Sequence, residues 1–228
     1  MTIRACVFDA YGTLFDVAAA AREAAAEPGR EAFAACWQKV ASDWRLKQLQ
    51  YTWLRAVADA HTDFWEVTQN GLDWALEASG LADEELRARL LALYFQLSAY
   101  PEVPKMLATL KAEGFATAIL SNGEPAMLKG AVDSAGVADV LDDVLSVQDV
   151  GVFKPHASVY RMVNDRFGVA SDEVLFVSSN GWDAAHGAGF GFTSVWVNRA
   201  GEPMDRLPWQ PAHVLDDLTS IPDLAKAH

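Results

Sequence analysis

Asp9 stands at the end of an apolar run, Ile3-Arg4-Ala5-Cys6-Val7-Phe8, and heads a Gly-containing turn, Asp9-Ala10-Tyr11-Gly12-Thr13. A buried parallel strand reads as a short continuous apolar stretch. In open α/β sheets the chemistry lies just beyond the carboxyl ends of such strands. Asp9 is therefore placed where a carboxylate can act, although an Asp after a strand can also cap a turn or the next helix. Two further apolar runs end the same way. Phe115-Ala116-Thr117-Ala118-Ile119-Leu120 delivers Ser121 and Asn122, and Glu173-Val174-Leu175-Phe176-Val177 delivers Ser178, Asn180 and Asp183. Lys154 arrives after a shorter run, Val144-Leu145-Ser146-Val147. A carboxylate, a cation, hydroxyls and an amide brought to one sheet edge can attack an electrophile. Independent capping residues would have no reason to gather there.

The elements that position these residues alternate. A helix is expected over Glu102 to Glu113, another over Pro125 to Ala135 stopped by Gly136, and a third opened by Lys154-Pro155 and ended at Gly168, with Pro155 in its first turn. A fourth follows Asn180 and closes near Gly189 or Gly191, and Thr193 to Val197 is a fifth strand. Strands alternating with helices give a doubly wound parallel sheet, a Rossmann-like α/β core. Residues 16–97 show no strand alternation. Helices are expected over Val17–Ala26, Glu31 to about Ala60, Phe64–Ser79 and Asp83–Leu97, with Phe33, Trp37, Val40 and Trp44 forming one stripe. The expected organisation is a core from 1–15 and 98–228, with 16–97 as a helical cap inserted after the first strand, beside the active end of the sheet, where lids are built.

The 228 residues are 51% hydrophobic and 21% charged, as in a folded globular protein. No apolar run reaches the roughly 20 residues of a membrane helix, and no signal peptide is apparent, so a cytoplasmic protein with no membrane partner is expected. The formal net charge of −13 and the lack of a basic cluster argue against nucleic acid. Cys6 and Cys36 have no metal-ligand spacing and read as inert thiols.

Asp9 with Thr13, Ser121, Lys154 and the Ser178-to-Asp183 loop resemble the four signature motifs of the haloacid dehalogenase superfamily. Most of its members are phosphatases with a second Asp two residues after the first and Mg²⁺ held by the fourth motif. Here Tyr11 takes that second position, and the fourth motif opens with Ser178-Ser179-Asn180. A cation would be poorly held by Asp9 and Asp183 alone, so neither metal nor cofactor is expected. The departures match a narrower group. Asp9 to Val17, Lys47 to Arg55, Leu120 to Gly123 and Phe176 to Ala184 resemble the L-2-haloacid dehalogenases, in the same order and over nearly the full length.

That resemblance implies a carboxylate displacing halide from saturated carbon, then water attacking the resulting ester. It makes Asp9 the nucleophile, oriented by Thr13 and Ser178. Arg45 receives the halide, as suits a weakly hydrated guanidinium. Ser121 and Asn122 hold the substrate carboxylate, Lys154 neutralises Asp9, Tyr160 joins the polar cluster, and Asn180 and Asp183 position the water. Tyr11, Leu46, Leu49, Phe64 and Trp182 form an apolar wall, although ordinary core packing accounts equally for Leu49 and Phe64. Other members often carry Gln at position 46, which leaves substrate size and C–F cleavage open. His186, one turn after Asp183, is a possible general base that the family's motif does not include; His61, His156, His213 and His228 read as surface.

The expected activity is hydrolysis of short L-2-haloalkanoic acids to D-2-hydroxy acids with inversion. The alternatives are the same mechanism on another electrophilic carbon, such as a strained cyclic amino acid, a Mg²⁺ phosphatase, or a non-catalytic carboxylate binder. Trp37, Trp44, Trp53, Trp65 and Trp74 are more apolar surface than a small helical unit hides, so a homodimer is expected.

Overall fold

Strand β1 (Ala5–Phe8) is buried along its whole length, as its unbroken apolar sequence requires. The computed structural model describes residues 2–81 and 83–228. Met1 and Ala82, which fall in the ranges expected for the core and the cap, lie outside the described residues. After β1 the chain forms α1 (Ala19–Ala25), α2 (Glu31–Ala34), α3 (Trp37–Val57), α4 (Phe64–Ala78) and α5 (Glu84–Tyr94). Alternation begins with α6 (Val103–Ala112), β2 (Ala116–Ser121), α7 (Pro125–Ala135) and β3 (Asp143–Ser146). It continues through α8 (Ala157–Phe167), β4 (Val174–Ser178), α9 (Gly181–Phe190) and β5 (Thr193–Val197), and ends with β6 (His213–Leu215) and α10 (Ile221–Ala227).

Among the described residues the sheet has six strands in the order β3-β2-β1-β4-β5-β6. Every neighbouring pair is parallel. Phe8 is level with Ile119 on one side and Val177 on the other, so β1 ends just before Asp9 while β2 runs on to Ser121 and β4 to Ser178 on either side of it. The strand order reverses at β1, and in such sheets a crevice opens over the carboxyl ends at that switch. Helices α6 and α8 pack against β2, and α9 against β4 and β5. Helix α9 lies close because Gly187 has no side chain; a Cβ there would come within 2.6 Å of the Phe176 ring. Phe176 is fully buried, a burial that contributes about 1.5–3 kcal/mol.

The helices between β1 and α6 hold together by burial and by a few specific bonds. Trp44 on α3 donates its indole N–H to the carbonyl of Thr68 on α4 at 2.8 Å. Gln48 donates to the Thr68 hydroxyl at 3.0 Å and to the Tyr94 hydroxyl at 3.2 Å, joining α3, α4 and α5. Asp63 and Asp83 cap α4 and α5, each accepting the backbone N–H three residues on.

Several boundaries differ from expectation. The helix expected from Glu31 to about Ala60 is two helices, because Cys36 leaves the helical region at φ −140°. Pro155 is not in the first turn of α8. His156 is extended and its Nδ1 accepts the N–H of Ser158, so the helix starts at Ala157. Strand β6 and helix α10 were not expected: three residues with exposed Val214 carry no alternation to read. Helix α9 closes at Gly191, in the left-handed region, rather than at Gly189. Trp44 is core, and His61 is half-buried with its ring 4.7 Å from that of Phe153.

Candidate active site

The Asp9 backbone N–H still donates to the carbonyl of Val177, at 2.9 Å, so residue 9 is anchored between β1 and β4. Its side chain stands at the sheet edge in a residue only 6% exposed. The next turn folds back on it. The N–H groups of Thr13 and Leu14 bond to the carbonyl of Ala10, and Gly12 takes φ +88°, which a side chain would resist. The turn brings the Thr13 hydroxyl to 3.0 Å from Asp9 Oδ2. The same hydroxyl accepts the N–H of Ser179 at 2.8 Å, locking the first loop to the loop after β4. That second loop supplies Asn180, whose Nδ2 donates to Asp9 Oδ2 at 3.0 Å.

Lys154 closes the cluster from below. Its Nζ donates to Asp9 Oδ1 at 3.1 Å and to Asp183 Oδ2 at 2.9 Å, in a residue 1% exposed. Asn122 fixes its backbone by accepting the Lys154 N–H at 2.9 Å. Tyr160, from α8, donates its hydroxyl to Asp183 Oδ1 at 2.8 Å. Burial alone would depress the Lys154 ammonium, but the carboxylates of Asp183 and Asp9 outweigh it and hold its pKa above the ordinary lysine value. Burial pushes the Asp183 carboxyl up, against the pull of Lys154. Burial and the Asp183 charge hold the Tyr160 phenol well above its usual value, so it stays a donor. Asp9 has a hydrogen-bond donor on each oxygen.

Arg45 reaches this cluster from α3. Its Nη2 lies 3.2 Å from Asn180 Oδ1 and 3.3 Å from the carbonyl of Tyr11. Asn180 thus bridges Arg45 to Asp9. Tyr11 stacks on Phe64, with ring centroids 5.9 Å apart, and leans on Tyr94 at 5.4 Å. Trp182 meets Trp53 of α3 edge-on at 5.3 Å. Leu49 is half-buried, one helical turn from Arg45.

Asp9, Thr13, Arg45, Lys154, Tyr160, Asn180 and Asp183 are therefore brought together, with Tyr11, Phe64 and Trp182 around them. Other expected residues sit differently. Ser178 does not reach Asp9. Its Oγ accepts the Asn180 N–H at 3.2 Å, and Ser179 makes the contact to Thr13 instead, because alternate strand residues face opposite sides. Ser121 Oγ accepts the N–H of Gly123 at 3.0 Å, and Asn122 spends its carbonyl on Lys154. Leu46 is 57% exposed; one residue beyond Arg45 it is turned about 100° round the helix. His186 donates Nδ1–H to the carbonyl of Trp182 at 2.7 Å and rests on Trp209, so the structure gives it no bond to Asp9 or Asp183. Two contributors were missed: Ser179, and Arg199 beyond β5, whose Nη2 donates to the carbonyl of Thr13 at 3.2 Å. The signal for Arg199 was its place, since β5 ends at the same sheet edge.

The donor set does not suit a divalent cation. Position 11 is a tyrosine, both oxygens of Asp183 already accept hydrogen bonds, and no three or more His, Cys, Asp or Glu side chains converge among the described residues. No described helix is long and apolar enough to cross a membrane.

A parallel doubly wound sheet with an aspartate at the end of its first strand and a lysine beneath it defines a class of hydrolase. A model of the haloacid dehalogenase-like hydrolases matches residues 3–191, and the chain belongs to that family. Within it, the chain is similar to (S)-2-haloacid dehalogenase 1 of Pseudomonas sp. (strain CBS-3), with 43% identity over 223 residues, 97% of this chain and 96% of the relative. The L-2-haloacid dehalogenase of Xanthobacter autotrophicus, solved with chloropropionic acid covalently bound, superposes with a TM-score of 0.88 at 36% identity, covering 98% of each chain. A dehalogenase solved with an intermediate complex superposes with a TM-score of 0.93 at 39% identity, covering 99% of this chain and 98% of that one.

Proposed function

We propose that this chain is an (S)-2-haloacid dehalogenase that hydrolyses short L-2-haloalkanoic acids to D-2-hydroxy acids. The observation that carries the reading is the Asp9 carboxylate held by Lys154, Thr13 and Asn180, with the Arg45 guanidinium joined to it through Asn180. Thr13 and Asn180 both bind Oδ2, which leaves Oδ1, with one donor, as the oxygen that attacks C2. A bond forms from Asp9 to C2, the carbon–halogen bond breaks, and halide leaves with its electron pair. C2 inverts once. Arg45 takes the halide, since its charge has no carboxylate partner among the described residues and a guanidinium sheds water readily.

Water then attacks the ester carbonyl carbon of Asp9 and gives a proton to Asp183; the acyl C–O bond breaks, and the departing alkoxide oxygen takes that proton and leaves as the 2-hydroxy acid. Asp183 is the base in this step; a carboxylate whose pKa is raised by burial suits that role. Thr13 and Asn180, the donors on Oδ2, hold the charge that develops on the Asp9 carbonyl oxygen. Ser121 and the backbone N–H groups beside it hold the substrate carboxylate, and Tyr11, Phe64 and Trp182 keep bulk water out. Residues 16–97 act as the cap on a core of 1–15 and 98–228, and the protein is cytoplasmic.

We further propose a homodimer. Leu46, Leu54 and Val57 lie along one side of α3, Val57 being 90% exposed, and Trp74 is exposed on neighbouring α4. A second copy would cover this apolar surface; a monomeric mass by light scattering rejects it. The test of the activity is a single turnover of (S)-2-chloropropionate in heavy-oxygen water with EDTA present. Chloride and D-lactate should appear, with the label in Asp9 and not in the first product molecule. Label passing straight into product refutes the ester route.

A further inference from the structure

A cleft of about 570 Å³ opens beside Arg45, within the usual range for small-molecule pockets. Trp37, Ala41 and Trp44 of α3 line one wall, and Arg45 and Tyr94 lie at its inner end. Ala200 and Glu202, both exposed, line it after β5, and Glu202 and Arg45 are its charged lining groups. The lining is otherwise largely apolar. Its inner end lies one side chain from the chemistry: Arg45 bonds to the Asn180 that holds Asp9, and Tyr94 packs on Tyr11.

Asp9, Lys154 and Asp183 are all buried, so an acid must pass some protein group to reach them. Where α3 meets the start of α9, Trp53 stands against Trp182 and closes the seam. Arg45 is the group best able to yield. Its two hydrogen bonds are long, both acceptors are neutral, and no ion pair restrains it among the described residues. An incoming carboxylate offers the guanidinium a stronger, charge-assisted partner than either.

Building on the dehalogenase reading, we infer that this cleft is the passage by which the haloacid reaches Asp9, with Arg45 as its gate and Ala41 and Ala200 setting the length of alkyl tail admitted. A tail that outgrows the closed site lies between Trp37 and Trp44, and the small side chains at 41 and 200 leave it room.

Ala200→Trp and Ala41→Trp test this, the first at an exposed turn where folding is safe. Each variant is compared with the unaltered enzyme on chloroacetate and on 2-bromohexanoate. Each should lower kcat/KM for 2-bromohexanoate about tenfold more than for chloroacetate, the scale of losing a methylene or two of pocket. Binding of unreactive hexanoate and acetate, followed by tryptophan fluorescence, gives the same comparison without turnover. A hexanoate-to-acetate preference unchanged in both variants overturns the passage. Failure of the unaltered enzyme to release halide, with the hexanoate preference still lost in the variants, overturns the dehalogenase reading and leaves the passage standing.

Discussion

Replacing Lys154 with methionine removes the one cation between Asp9 and Asp183 while keeping most of the side-chain volume. Lys154 is 1% exposed and donates at 3.1 and 2.9 Å to carboxylates that are themselves buried. Breaking a buried pair by deleting one partner costs about 3–5 kcal/mol, because the remaining charge is stranded. For a chain of this length each kcal/mol is worth about 2–4 °C in Tm, so a fall of about 6–20 °C is expected at pH 7–8. The deficit should depend on pH with a definite sign. Two facing carboxylates without a cation retain a proton more tightly when folded than when unfolded. A carboxyl pKa raised on folding contributes stability that is full at low pH and lost as pH rises through the folded value. The gap between variant and unaltered protein should therefore narrow from pH 8 to pH 5. Melting followed by circular dichroism across that range is the assay, with halide release in parallel, where activity should be lost. A variant melting within about 2 °C of the unaltered protein at pH 8 would refute the reasoning, whatever its activity.

Asn180→Ala removes both the donor to Asp9 Oδ2 and the acceptor for Arg45, and should lower kcat by about 100-fold, the scale of losing one preorganised donor; undiminished halide release would remove Asn180 from the site. Tyr11→Phe deletes a buried hydroxyl that has no hydrogen-bond partner among the described residues, so it should raise stability by about 1 kcal/mol, and a lower Tm would show that the hydroxyl is satisfied in solution. Burial pushes the Cys6 thiol up to about 12, so iodoacetamide at pH 8 should label Cys36 and spare Cys6 in the folded protein, as read by mass spectrometry.

The core was legible because its strands are buried on both faces and read as unbroken apolar runs, and because Gly136 and Gly168 stop α7 and α8 in the left-handed conformation. The inserted helices were legible as a class but not in their breaks. Nothing in Ala35-Cys36-Trp37 announces that the backbone leaves the helix there. Strand β6 is short and half-solvated, so neither burial nor alternation marks it. In the site, residues one position apart were the weak point. Motif order places a loop at the sheet edge, but backbone direction decides whether Ser178 or Ser179 faces Thr13, and which of Arg45 and Leu46 faces inward. His186 failed for a related reason: sequence spacing gave the correct turn of α9, while the carbonyl of Trp182 and the ring of Trp209 took both the proton and the ring face.

The bonding pattern also explains why the site needs its parts from so many elements. Asp9 is reached by Thr13 from its own turn, Lys154 from the segment before α8, and Asn180 from the loop after β4. A nucleophilic carboxylate must be ionised yet not spent, and each donor alone leaves one of these unmet. Lys154 sets a cation beside Asp9, but a lysine paired only with Asp9 would bind it tightly at Oδ1. Sharing the ammonium with Asp183 divides that attraction, and Tyr160 in turn satisfies the far oxygen of Asp183. Oδ2 takes the two neutral donors, which fix the plane of the carboxylate and turn Oδ1 toward the substrate. Weakening any one contact should therefore change the direction of attack as well as its rate. Thr13→Val keeps shape but frees that plane, and its kcat should fall while KM changes little, since the binding groups at Ser121 and Arg45 are untouched. A rise in KM with kcat unchanged would show instead that Thr13 serves substrate binding.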